Sequence, residues 1–493
     1  MPDANAPMSE RNRWIALYVL CVGMLMIVLD ATVVNVALPS IQNDLRFTQS
    51  SLAWVVNAYL IAFGGLLLLA GRFGDLIGRK TIFMAGLGVF TVASLLCGLA
   101  QSQEMLVIAR FVQGVGGAMT SAVILGMIVT MFAEPAEQAK AIGVYGFVAS
   151  AGGSVGLLAG GVLTQSINWH WIFFINVPIG IATGILANRL LERDEGIGFS
   201  AGADIPGAVL ITSSLMLGVY TIVKPAAEDG WGSSQALVLG VVSLALLAAF
   251  IVRQARAANP LIPLRIFRSR NVSGANVVQA LLVAGMFGMF FLGALYLQRV
   301  LHYDALEIGL AFLPATIVMG IMSLRYAEKL IMSFGPRTTL IPSLTLIAIG
   351  LLLFARAPVN GSYMTDVFPV MILLGLGIGG SFPALMTLAM SGATPADAGL
   401  ASGLVNTAAQ VGGALGLAVL ATLSATRTEH LINSGASHAA ALTSGYHLAF
   451  VIAAGLMLLA VGVAATVLRT VAMPAMDEQP EQRRSEPAYS EVA

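Results

Sequence analysis

The sequence predicts an all-α polytopic membrane protein, on three observations. Of its 493 residues, 57% are hydrophobic and only 10% charged, a balance no soluble core of this size requires. Apolar runs of roughly twenty residues, the length that crosses about 30 Å of hydrocarbon, recur from Trp14 almost to Arg469. No alternating pattern in these runs would close a barrel, so helices, which satisfy their own backbone hydrogen bonds inside lipid, are the form that follows.

Polar breaks divide the apolar runs into fourteen spans. The first, 14 to 37, holds Asp30 and is followed at once by Pro39 with no small-residue cleavage site, so it reads as a retained span and not a signal peptide. Spans two to four (52 to 70, 81 to 100, 105 to 131) are separated by the charged stretch Gly71–Lys80 and by a short polar break, and the fourth carries Arg110. The fifth, 141 to 163, is rich in glycine, and the sixth covers 171 to 189. Spans seven and eight, 205 to 223 and 235 to 252, contain no charge and end at an arginine-rich loop. Six more follow at 272 to 297, 307 to 325, 338 to 355, 367 to 390, 402 to 424 and 446 to 468.

Lysine and arginine fix the expected orientation, since they concentrate on the cytoplasmic side. With the N-terminus inside, nineteen of the 25 lie in cytoplasmic segments, five in external ones, and Arg110 within a span. Both termini are therefore expected in the cytoplasm. The domain reading is a cytoplasmic tail 1–13, a six-helix lobe 14–195, two additional helices 204–252, a basic linker 253–271, a second six-helix lobe 272–469 and a disordered tail 473–493. A faint internal repeat supports two lobes: Gly78-Arg79 after the second helix has a counterpart in Gly335-Pro336-Arg337.

Several chemistries are excluded. Net charge is zero and no basic stretch interleaves with aromatics, so nucleic acid is not an expected partner. Cys21 and Cys97 lie inside apolar runs and read as packing residues, not as a metal site or disulfide. No loop is long enough to supply a catalytic domain, so enzymatic activity is not expected.

Ionisable groups deep in a membrane are costly and mark function. Asp30 and Arg110 are the two clear cases, and helical rise from opposite directions places both roughly 10 Å below the external surface, where they could face one another. The carboxylate would take up and release a proton beside the guanidinium; a static pair locking two helices is the competing reading. Glycines at spacings of three and four in the fifth span allow close, mobile helix contact, as ordinary tight packing also would.

The residues also carry a family resemblance over almost the whole chain. Leu29-Asp-Ala-Thr-Val-Val-Asn-Val-Ala-Leu-Pro-Ser-Ile41 resembles the first-helix signature of the fourteen-helix drug:H+ antiporters of the major facilitator superfamily. Gly71-Arg-Phe-Gly-Asp-Leu-Ile-Gly-Arg-Lys80 is similar to the superfamily's loop between helices two and three, with Leu76 at a position usually basic. Arg110-Phe-Val-Gln-Gly-Val-Gly-Gly-Ala118 resembles its fourth-helix motif, and Gly152 to Gly161 its fifth-helix antiporter motif, with Leu157 where the pattern has proline. Trp169 to Gly180 and Ala398 to Thr407 resemble further signatures.

The resemblance implies two six-helix lobes plus two extra helices, and a proton-coupled exporter of amphipathic drugs or other small toxic compounds, alternatively of a metabolite or lipid, or an importer. It implies proton coupling at Asp30 and Arg110, and a cytoplasmic gate from Gly71, Asp75, Gly78, Arg79 and Lys80. Cavity candidates are Asn35, Gln113, Tyr145, Asn406 and Gln410, and the helix-five motif is Gly152, Gly156, Gly160 and Gly161. No cofactor beyond the coupling proton is expected. The expected partners are a small-molecule substrate and the bilayer, with the chain acting as a monomer in the plasma membrane.

Overall fold

A computed structural model describes residues 10–48, 51–132, 134–192, 194, 196, 198, 204–228, 230–391 and 398–470. The tail 473–493 lies outside them, as does most of 1–13. Among the described residues there are fourteen long helices and no strand. They are α1 (Glu10–Leu45), α2 (Ser51–Ile77), α3 (Arg79–Gly98), α4 (Gln103–Met131), α5 (Pro135–Ser166), α6 (Trp171–Leu190) and α7 (Ile205–Val223). After α8 (Ser234–Arg256) come α9 (Arg270–Arg299), α10 (Ala305–Phe334), α11 (Pro336–Phe354), α12 (Tyr363–Ser391), α13 (Ala398–Asn433) and α14 (His438–Thr466). Thirteen are long and apolar enough to cross a bilayer. The other, α5, has 32 residues, ample for the same crossing at 1.5 Å per residue.

Helix pairings repeat with a shift of eight. In the first lobe α1 packs on α5 and α6, α4 on α2 and α3, and α3 on α6. In the second, α9 packs on α13 and α14, α12 on α10 and α11, and α11 on α14. Between lobes the principal contacts, α2 with α13 and α5 with α10, exchange under the same shift. The faint sequence repeat has a structural counterpart as well. Gly78 (φ 100°) and Gly335 (φ 84°) each form the single-residue break between two helices, in a left-handed conformation that a side chain rarely tolerates.

The two additional helices are locked to each other by a reciprocal pair: Ser214 Oγ donates to Ser243 O at 2.8 Å and Ser243 Oγ to Ser214 O at 2.9 Å. In hydrocarbon such hydroxyl-to-carbonyl bonds hold helices that the hydrophobic effect does not. On its other side α7 leans on α2 and α13, with the Thr212 side chain against Gly65, so the insertion buttresses one seam between the lobes.

The linker after α8 is tied down by one acid. Asp204 caps α7 by accepting from the Gly207 amide at 3.0 Å, and also accepts from Arg253 Nε at 2.5 Å and Gln254 Nε2 at 2.6 Å. Gln254 Oε1 accepts the Ile262 amide at 3.0 Å, and Leu261 packs with Leu69, Ala208 and Phe250. Burial pushes the Asp204 carboxyl up, but the bonds from Arg253, Gln254 and the Gly207 amide outweigh it and hold it below the usual carboxylate value. Its contribution to stability is therefore present above about pH 3.9, the ordinary aspartate value, and is lost as pH falls through the lower folded value. Asp204→Ala is expected to remove a cap of about 1 kcal/mol and to speed deuterium exchange at the Ile262 amide. Unchanged exchange there would contradict the tether.

Candidate functional site

The deepest charged group in the first lobe is a closed polar cluster. Arg110 and Gln113 lie three residues apart on α4 and so share one face. Across from them, Asp30 on α1 is fully buried, as is Arg110. Arg110 Nη1 donates to Asp30 Oδ2 at 2.5 Å and to Gln113 Oε1 at 2.7 Å, while its Nε donates to Val55 O at 2.8 Å. Asp30 Oδ1 accepts from Gln113 Nε2 at 2.7 Å and from Asn176 Nδ2 at 3.2 Å. Gln113 Nε2 also reaches Ser94 Oγ at 2.8 Å.

The guanidinium lies over the Tyr59 ring, 4.5 Å from its centroid, with Phe173 at 5.7 Å. Three donors on the carboxylate and an aromatic face on the cation are what a buried ion pair needs to offset the loss of water. Sequence reasoning missed Asn176, Ser94 and Tyr59. Only Asn176 left a signal, a polar residue in an otherwise apolar part of the quoted Trp169 to Gly180 stretch.

Beside this cluster α5 presses on α1. A Cβ at Gly152 would stand 3.0 Å from Leu25 Cδ1, at Gly160 2.8 Å from Val33 O, and at Gly156 it would overlap the Thr32 hydroxyl. At Gly161 a Cβ would instead stand 2.9 Å from Ala305 O of α10, so this glycine lets the two lobes approach closely. The Leu157 side chain lies outside the described residues. Asn35 is buried on α1 but does not join the Asp30 cluster. Its Nδ2 donates back to Ala31 O at 3.2 Å and its Oδ1 has no protein partner.

A separate cavity of about 720 Å³ opens at the face where α1 begins and α14 ends. Its walls come from both lobes: Leu68 and Gly71 of α2, Ser121 of α4, Tyr145 of α5, and Gly403 and Asn406 of α13. Gln410 stands one turn deeper than Asn406, its Cβ pressed on Gly64 of α2. Asp30, Arg110, Asn35 and Gln113 do not line this cavity; Asp30, Arg110 and Gln113 are sealed inside the first lobe.

Asp75 and Arg79 stand at the cavity mouth and pair at 3.3 Å, half exposed, with Arg79 Nη1 also donating to Gly126 O at 3.0 Å. Gly78 supplies the turn between them and α3. Lys80 is committed elsewhere, its Nζ donating to Asn188 O at 2.9 Å and Leu191 O at 2.5 Å, where a cation complements the C-terminal end of α6. Asp194, which sequence reasoning passed over as loop, accepts the Arg79 amide at 2.7 Å and the Lys80 amide at 3.1 Å and caps α3.

Comparison with known proteins agrees with this architecture. A bacterial homolog of the human lysosomal transporter Spinster, in an inward-facing and unoccupied conformation, superposes with a TM-score of 0.67 at 17% identity, covering 93% of this chain and 97% of that one. The puromycin resistance protein of Streptomyces alboniger is 40% identical over 91% of this chain and 90% of its own. The cephamycin export protein of Amycolatopsis lactamdurans is 38% identical over 86% and 87%, and the tetracenomycin C resistance and export protein of Streptomyces glaucescens 34% identical over 86% and 78%. Residues 20–417 match the Major Facilitator Superfamily, and this chain belongs to that family as a multi-pass membrane transporter, not an enzyme.

Proposed function

We propose that this protein exports amphipathic drug-like compounds across the plasma membrane in exchange for protons, by alternating access of the cavity between its lobes, with both termini in the cytoplasm. The observation that carries the reading is a fully buried carboxylate whose partners are a guanidinium, Gln113 and Asn176. Protonating Asp30 would strip Arg110 of its counter-charge, and a buried cation without one is costly. Uptake of a single proton therefore favours a different packing of α1 against α4 and α6, the kind of two-state element a transporter requires.

Asp30 is sealed off while the cavity stands open. Proton and substrate would thus reach the protein in different conformations, which fits exchange better than joint passage. The names of the relatives, which include puromycin resistance, cephamycin export and tetracenomycin C export, support bulky organic cargo moving outward. The coupling ion is H+. A proton entering down about 150 mV supplies roughly 3.4 kcal/mol, about 2.5 decades of concentration for a neutral substrate.

The direct test is proton release from purified protein in weak buffer as candidate compounds are added. A transported compound is expected to release protons stoichiometrically with binding. If compounds that bind tightly release none, exchange at a shared cycle is wrong.

A further inference from the structure

We propose that an anionic phospholipid binds between α1 and α6 on the outer surface of the first lobe, its acyl chain in a groove and its phosphate between Arg11 and Arg189. The two helices are joined at Asp30 and Asn176, 3.2 Å apart, and toward the face where α1 begins a cleft of about 410 Å³ separates them. Ile15, Tyr18 and Val22 line it from α1 and Ile179, Ala182 and Leu186 from α6, and its walls present only apolar surface. The cleft lies apart from both the buried ion pair and the cavity between the lobes.

What names the occupant is the end of the groove. Arg11, Ile15, Tyr18 and Val22 follow each other at spacings of four, three and four, so Arg11 continues the α1 wall. On α6, Ile179, Ala182, Leu186 and Arg189 follow at three, four and three, so Arg189 continues the opposite wall. Because α1 starts where α6 ends, this spacing sets both arginines beyond the same end of the cleft. Both are exposed, and among the described residues neither forms an ion pair.

A groove that is apolar along its length and doubly cationic at the interfacial end matches one acyl chain beneath one phosphate-bearing headgroup. A transmembrane helix from another protein fits less well. Helices approach through small residues, whereas these lips are Ile, Tyr, Val and Leu, and a helix about 10 Å wide would not enter a cleft of this volume.

Native mass spectrometry of the delipidated full-length protein, titrated with phosphatidylglycerol or with phosphatidylcholine of the same chains, tests the assignment. Wild type is expected to retain one phosphatidylglycerol more firmly than phosphatidylcholine. Arg11→Gln combined with Arg189→Gln should weaken it roughly 30-fold, the loss expected from two cation–lipid contacts. Ala182→Trp, which fills the cleft, should displace both lipids. Arg256→Gln, an exposed arginine at the end of α8, should change nothing. The proposal falls if the double variant holds phosphatidylglycerol as wild type does, if wild type holds both lipids equally, if Ala182→Trp leaves retention intact, or if Arg256→Gln weakens retention as much as the pair.

Discussion

Asp30→Asn is expected to abolish uphill export while leaving a folded protein that still binds substrate. The amide keeps an acceptor oxygen for Arg110, and the guanidinium keeps Val55 O, the Gln113 carbonyl and the Tyr59 ring, so the cluster loses a charge and not its packing. What the variant removes is the one fully buried carboxylate among the described residues of the first lobe. With no coupling ion, the substrate gradient sustained across inverted vesicles should fall from about 2.5 decades under a 150 mV potential to none. Binding in detergent should stay within a few-fold of wild type, and proton release on binding should disappear. Full uphill export by this variant would remove Asp30 from the mechanism.

Asp30 and Arg110 were legible because each is a lone charge in an apolar run and helical rise alone sets its depth. Gln113 was named only through the family resemblance, as a cavity residue; it joins the cluster instead because it shares a helix face with Arg110. The rest of the cluster was not legible for a specific reason: Asn176 reaches Asp30 across 146 residues, and nothing local to Phe174–Pro178 distinguishes a ligand of a carboxylate from a helix-capping amide. Tyr59 and Ser94 read as ordinary residues of packed membrane helices, and their significance depends on which helix stands opposite.

Two loop acids were not legible for the same reason. Asp194 and Asp204 sit in polar stretches that look solvated, yet each satisfies the free amides at the start of a helix. Lys80 shows the converse, a cation in a charged motif whose nitrogen is taken up by the carbonyls ending α6. Helix limits also run past the apolar runs, Glu10–Leu45 against 14 to 37 for the first. Hydropathy sees only the segment that needs lipid, while a helix continues until its capping changes.

Arg110→Ala should do more damage to folding than Asp30→Asn, and the comparison separates a structural pair from a working one. Removing the guanidinium leaves the Asp30 carboxylate with only Gln113 and Asn176 and opens space beside Tyr59 and Phe173. Breaking a buried pair on one side typically costs 3–5 kcal/mol, so the expected result is a clear fall in Tm and in the yield of monodisperse protein. Removing both charges, as in Asp30→Asn with Arg110→Gln, should restore much of that stability, because replacing a buried ion pair by neutral groups is often without penalty. If the pair served only to lock α1 to α4, export would recover along with Tm. A proton-coupling pair gives the opposite, a stable double variant with no proton-driven export, and a double variant that pumps uphill would show that the cluster is a brace.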